Sequence, residues 1–379
     1  MDQVVTKYLW QLPSWPALRW NDGALLEPLS QAYQAQGHLF GELDALGFEE
    51  ERRAVEVEAV VEEAVATSAI EGERLSRDAV RSSVARRLGL DTAGMPTPPR
   101  DVDGLVEMLL DATGRYDEPL TAERLKGWQA ALFPTGYSGA SRIHAGEWRG
   151  GPMQVVSGPV GRERIHYEAP LAERVPEEMG RLLSWWESES GSLVGMVRAG
   201  VAHLWFETIH PFEDGNGRVG RALADLALAQ AERRRRRFYS ASSQIHKERS
   251  DYYGAIEKAQ KGDGDITPWL EWFLGCARRA IEHSEQEVEK ALRKTRFWQR
   301  VAAHELNERQ ARAVTRLLEA GPGGFEGGLT NQKYRGMTKA SKVTATRDLS
   351  DLLGRGILVQ LGEGRATRYE LNWQRIEKS

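Results

Sequence analysis

The chain has 379 residues, 41% of them hydrophobic, with a formal net charge of −4 and a pI near 6.1. That length predicts two or three folding units with sizeable cores, and the mildly acidic balance excludes a general nucleic-acid-binding surface. A single cysteine, Cys276, excludes an intramolecular disulfide; no long apolar run predicts a membrane span, and the start Met1-Asp2-Gln3-Val4-Val5 lacks the form of a signal peptide, so the expectation is a cytoplasmic protein.

Three tryptophans open the chain, Trp10, Trp15 and Trp20, interrupted by Pro13 and Pro16. Closely spaced prolines argue against a helix, so an extended arm is expected, its rings packed on the next domain. Apolar residues recur at helical spacing over 28–46, 49–71 and 78–88, followed by a Gly- and Pro-rich loop over 91–100. Helical patterns resume over 101–115 and 121–132. Between 136 and 170 the pattern changes to short apolar runs, Met153 to Val156 and Arg164 to Tyr167, which predict a small β-hairpin among helices. Helices are expected again over 175–189, 193–209, 218–236, 245–261 and 267–292. The run Arg233 to Arg237 is read as a solvated patch near a helix end.

The C-terminal part differs. A helix over 307–320, a break at Gly321 to Gly324, two short helices over 330–336 and 341–353, and strands over 356–361 and 366–371 predict a winged helix. From residue 307 onward there are thirteen Lys/Arg against eight Asp/Glu, so positive charge is concentrated here. Lys339, Lys342, Arg347, Arg365 and Arg368 are placed to meet phosphates, and docking to DNA through 330–371 and docking to protein both stay open.

The chemistry sits in one string, His210-Pro211-Phe212-Glu213-Asp214-Gly215-Asn216-Gly217-Arg218-Val219-Gly220-Arg221. An apolar helix runs into His210 and is stopped by Pro211, and a second helix begins after the glycines. Free amides and the helix dipole at such an N-terminus cradle an anion. Arg218 and Arg221 share a face one turn apart and suit polyphosphate. Asp214 is a hard oxygen ligand for Mg²⁺, and His210 is the group able to act as a base near neutral pH. Together they describe phosphoryl or nucleotidyl transfer.

This string matches without departure the signature of the Fic (filamentation induced by cAMP) family, and the chain resembles that family in its bacterial architecture. The resemblance implies a mainly α-helical core with a hairpin flap, and transfer of AMP from ATP to Tyr, Thr or Ser hydroxyls of a target protein or of the chain itself. It implies that His210 deprotonates the hydroxyl and Phe212 anchors the loop. Asp214 would hold Mg²⁺, and Gly215, Asn216 and Gly217 would bind the α- and β-phosphates. Arg218 would contact the β-phosphate and Arg221 the γ-phosphate. Upstream, Thr67-Ser68-Ala69-Ile70-Glu71-Gly72 resembles the inhibitory motif that the second class of Fic proteins carries N-terminal to the core. Glu71 would then pair with Arg221 and displace the γ-phosphate. Gly146 to Arg149 and 153–170 resemble the flap on which a target segment docks by strand addition, over 146–168. Tyr253 falls where the family lines the adenosine pocket, and Gln260 stands where relatives often have Asn.

These readings divide the chain into an N-terminal region over 1–70, a Fic core over 71–300 and a winged helix over 301–379. Another nucleotide donor, removal of AMP, and a DNA-binding regulator whose core acts mainly on itself stay open. A homodimer that controls inhibition is a further expectation.

Overall fold

The computed structural model describes residues 7–45, 49–158, 162, 164–301, 306–320 and 328–373. The expected break at Gly321 to Gly324 lies outside the described residues. Among those described, no helix is long and apolar enough to cross a membrane.

The chain packs as two compact units, Met1–Glu285 and Gln286–Ser379. The first is built on helices α1 (Asp22–Ala45), α2 (Glu49–Ile70), α3 (Arg77–Arg87), α4 (Arg100–Gly114) and α5 (Ala122–Leu132). A minimal hairpin β1 (Tyr137–Ser138) and β2 (Ser141–Arg142) follows, then the hairpin β3 (Gln154–Ser157) and β4 (Arg164–Glu168). Helices α6 (Val175–Ser188), α7 (Gly195–Ile209), α8 (Asn216–Glu232), α9 (Ala241–Lys247), α10 (Arg249–Gln260) and α11 (Thr267–Val301) complete the order.

Side-chain caps mark several helix starts. The Asn21 carboxamide accepts from the Gly23 amide at 3.0 Å, so α1 begins six residues before the apolar pattern suggests and carries Pro28 inside it. Ser76, Thr121 and Ser240 cap α3, α5 and α9 in the same way. The helix expected over 245–261 is two helices, broken at Glu248, whose carboxylate is held by Arg279 at 2.5 and 2.6 Å.

Helix α7 is buried on every side and forms the centre of the unit. Helix α8 folds back along it. Helix α11 crosses close at Gly200, whose carbonyl accepts from the indole of the buried Trp269 at 2.9 Å. The N-terminal arm packs on the helical unit as expected, but it is not extended: Leu9–Gln11 form a 3-10 helix followed by turns. Trp15 lies edge-on to Trp205 at 5.7 Å and donates to the buried Glu178 at 2.8 Å. Tyr8 lies edge-on to Tyr167 of β4 at 5.1 Å, so the arm braces the base of the β3–β4 hairpin.

The arginine run corrects the sequence reading. Helix α8 ends at Glu232, with Arg233 left-handed at φ 51°. Arg237 is buried and paired with Asp225 at 2.7 Å, while Arg234, Arg235 and Arg236 pair with Asp44, Asp117 and Glu49. These cations tie the loop after α8 to neighbouring segments.

The second unit contains α12 (Glu308–Ala320), α13 (Asn331–Thr338) and α14 (Lys342–Gly354), closed by β5 (Leu358–Leu361) and β6 (Arg368–Leu371). Its own core includes Phe297, Leu317, Leu329, Tyr334, Leu349, Leu352 and Leu371. Asp348 is buried there, accepting from the Tyr334 hydroxyl at 3.0 Å and pairing with Arg309 at 3.0 Å.

Candidate active site

The loop between α7 and α8 carries the site. His210 ends α7 in the left-handed region, φ 51°, with its amide still bonded to Phe206 at 2.9 Å. A non-glycine residue held there stores backbone strain, which clusters at functional sites. Phe212 is buried against Trp148 at 4.9 Å and Phe206 at 6.3 Å. The Asn216 carboxamide closes the loop on itself, accepting from the Phe212 amide and donating to the Phe212 carbonyl, both at 2.8 Å. Its side chain is therefore engaged in bracing the loop, so what Asn216 offers an anion is its backbone amide. Gly215 takes φ 85°, and a Cβ there would meet the Phe133 ring at 2.9 Å.

Burial drives His210 down to about 4, so its imidazole is neutral at physiological pH. Its Nδ1 lies 3.4 Å from the Glu207 carbonyl and 3.6 Å from the Glu207 carboxyl. Burial raises Glu207 to about 8, so this close approach joins two neutral groups and is no ion pair at neutral pH. The carbonyl favours a proton on Nδ1 and leaves Nε2 as the basic nitrogen. Glu207 and Gln129 escaped the sequence reading because buried polar groups carry no periodic signal. Gln129 accepts from the Gly146 amide at 2.5 Å and donates to the Asp214 carbonyl at 3.1 Å.

Arg149, which the sequence reading placed only as part of the flap, has a bracing position that it did not show. It is 3% exposed, with no carboxylate partner among the described residues. Its guanidinium donates to the carbonyls of His210 at 2.8 Å, Gly151 at 2.8 Å and Pro170 at 2.5 Å. It thereby ties the His210 loop to both ends of the β3–β4 hairpin.

Arg218 and Arg221 are both buried on the first turns of α8. Arg221 pairs with Glu71 at 2.7 Å and donates to the Thr67 hydroxyl at 2.8 Å and the Thr67 carbonyl at 3.0 Å. Burial lowers the Arg221 pKa, but the Glu71 carboxylate, with others, outweighs it and holds the guanidinium firmly charged. A Cβ on Gly217 would stand 2.2 Å from Glu71 Oε1, so this carboxylate lies directly over the amides at the start of α8. Arg218 pairs with Glu73 at 2.9 Å.

Asp214 accepts from the Ser138 hydroxyl on β1 and from the Gly215 amide at 2.5 Å. Among the described residues no group of three or more His, Cys, Asp or Glu could hold a metal by itself. A lone carboxylate beside an anion cradle fits Mg²⁺ that arrives with a polyphosphate.

Tyr253 and Gln260 lie on α10. Tyr253 is partly exposed, and its hydroxyl reaches the Ile70 carbonyl at 3.4 Å, next to Glu71. Gln260 is buried, and its amide donates to the Glu207 carbonyl at 3.1 Å. That bond engages its Nε2 with the helix before His210. His203 is structural, stacked on Trp269 and bonded to the Tyr252 hydroxyl at 2.8 Å.

Residues 119–228 match the family model described as the Fic/DOC family. The chain carries a Fic/DOC domain. Residues 8–90, ahead of it, match a model described as a domain of unknown function, DUF4172. Proteins called protein adenylyltransferase Fic from Culex quinquefasciatus and Drosophila mojavensis are 32% and 33% identical over 105 residues. That stretch is 27% of this chain and 19% of each relative, so the chain spans about a fifth of the length of the curated relatives it matches. Among solved structures, a Fic family protein from Desulfovibrio desulfuricans G20 aligns over 94% of this chain and 98% of its own, with a TM-score of 0.54 and 20% identity. A Fic domain containing signaling protein from Bacteroides thetaiotaomicron VPI-5482 aligns over 67% and 97%, with a TM-score of 0.51 and 18% identity. These likenesses show that the Fic/DOC domain of this chain has the Fic fold.

Proposed function

We propose that the chain transfers AMP from ATP to a hydroxyl of a protein, and that Glu71 holds it in check. The observation that carries this reading is a neutral, part-buried His210 beside a helix N-terminus that presents two buried arginines, one of them covered by Glu71. In the reaction the hydroxyl oxygen attacks the α-phosphate while its proton passes to Nε2 of His210. The bond to the β-phosphate oxygen breaks, and pyrophosphate leaves against Arg218, Arg221 and the amides of Asn216 and Gly217. Asp214 would hold a magnesium ion brought in with the nucleotide, and that ion would neutralise polyphosphate charge. The target segment docks along β3–β4, where Val156 and Ile165 stand exposed, by adding a strand.

Glu71→Gly protein supplied with ATP labelled at either the α- or the γ-phosphate tests the reading. Protein should retain α label and no γ label. Retention of γ label would mean phosphoryl transfer, and retention of neither, with ATP bound, would point to another donor.

A second reading concerns the C-terminal unit, which we take to be a winged helix. Helix α14 presents Lys342, Val343, Thr346 and Arg347 outward, with Val343 80% exposed. Lys339 lies three residues before it and Arg368 on β6, and the side chain of Arg365 lies outside the described residues. This face fits DNA, and binding to the protein's own upstream DNA that weakens steeply with salt would support this reading, whereas no such binding would contradict it.

A further inference from the structure

Helix α2 ends in a Schellman turn. The Glu73 amide donates to the Ser68 carbonyl at 3.0 Å and the Gly72 amide to the Ala69 carbonyl at 3.0 Å, with Gly72 at φ 87°. This turn sends two carboxylates, two residues apart, onto two different arginines of α8. Glu71 meets Arg221 at 2.7 Å and Glu73 meets Arg218 at 2.9 Å. The two pairs are not alike. The Glu71 side chain is 30% exposed and the Glu73 side chain 47%, while the arginines are 3% and 6% exposed. Arg218 also keeps its Nε without a partner, and its guanidinium lies 5.1 Å from the centre of the Phe133 ring. Glu73, Arg218, Ser138 and Phe133 line a cavity of about 380 Å³.

We infer that Glu73 is a second inhibitory carboxylate, which closes Arg218 as Glu71 closes Arg221. The inference rests on the proposed nucleotide site, in which Arg218 and Arg221 serve successive phosphates. The Arg218 guanidinium is buried, and Glu73 is its anionic partner in the resting state. Glu73 itself is half in water, so leaving costs it little, and the non-bridging oxygens of a phosphate replace it on Arg218 with charge-assisted hydrogen bonds. Removing Glu71 alone therefore frees Arg221 and leaves Arg218 still engaged. The segment of unknown function over 8–90 carries both carboxylates at one turn, which makes that turn a two-pronged stand-in for a polyphosphate.

The test is calorimetric titration of AMP, ADP and ATP, each with Mg²⁺, into the full chain and its Glu71→Gly, Glu73→Gln and Glu71→Gly/Glu73→Gln variants. On the Glu71→Gly background, Glu73→Gln should tighten ADP and ATP by about five-fold, with AMP unchanged and the gain smaller at high salt. A merely structural role for Glu73 would move AMP as much as ADP. Equal affinities with and without Glu73, or equal tightening of all three nucleotides, overturn the inference. If Glu71→Gly labels protein and Glu73→Gln adds no tightening, the inference falls and the AMP-transfer reading stands. If Glu71→Gly labels nothing yet Glu73→Gln tightens ADP, the arginine clamp stands and AMP transfer falls. If no form binds nucleotide, both fall.

Discussion

At the scale of single residues, the site works by keeping its groups in definite charge states. Burial holds His210 near 4 and Glu207 near 8, so both are neutral at pH 7, while Arg221 stays charged through Glu71. The signs for stability are opposite. The unfolded chain protonates His210 first, so that residue costs stability as pH falls from 6.5 toward 4. Glu207 is more easily ionised in the unfolded chain, so it costs stability as pH rises from 4.5 toward 8. For catalysis the consequence is direct. Labelling by Glu71→Gly protein, measured as kcat/KM, should change by less than about two-fold between pH 7.5 and 6, because His210 remains a base throughout. An ordinary histidine would lose about three-quarters of its neutral form over that range, and a loss of that size would contradict the assignment. The sequence revealed which residues crowd the site but not which atoms are free. The position of Asn216 was legible, whereas the engagement of its side chain with Phe212 depends on a left-handed His210 that no residue pattern shows.

Elements set the geometry in which those groups meet. The α7–loop–α8 arrangement was legible because an apolar run, a proline and a pair of glycines are local signals. The β3–β4 hairpin was legible for the same reason, while β1–β2 was not, since four polar and glycine-flanked residues have no strand pattern. What joins elements was hidden, because it rests on buried polar contacts between distant residues. Arg149 is the plainest case, three of its carbonyl acceptors lying on the His210 loop and at the hairpin ends. Arg149→Lys cannot reach all three, and it should lower labelling kcat by about ten- to a hundred-fold while leaving the affinity for ATP within about two-fold. Steady-state kinetics beside ATP titration reads this split. Equal loss of ATP affinity would mean that the whole site had collapsed.

On the scale of the whole molecule, the chain divides into a unit that carries the Fic/DOC domain and a C-terminal unit with its own core. Composition and the run of turn signals after residue 321 made the separate character of the end legible, while the place of the division, at Glu285 inside a long helix, has no local signature. Leu349 is fully buried in the C-terminal core. Leu349→Ala should destabilise residues 286–379 by about 2–5 kcal/mol, seen as faster hydrogen exchange there, with the ATP affinity of the first unit unchanged. A parallel loss of ATP affinity would show that the two units fold as one.

The central claim joins His210 to transfer and Glu71 to restraint, and it is tested most directly by one labelling comparison. ATP labelled at the α-phosphate is incubated with Mg²⁺ and the full chain, its Glu71→Gly variant, and the Glu71→Gly/His210→Ala double variant, with a cell lysate as a source of targets. The account predicts faint labelling of protein by the wild type, at least about ten-fold more by Glu71→Gly, and none above background by the double variant. Equal labelling by wild type and Glu71→Gly would contradict the restraint, and labelling that survives the loss of His210 would contradict the assignment of the base.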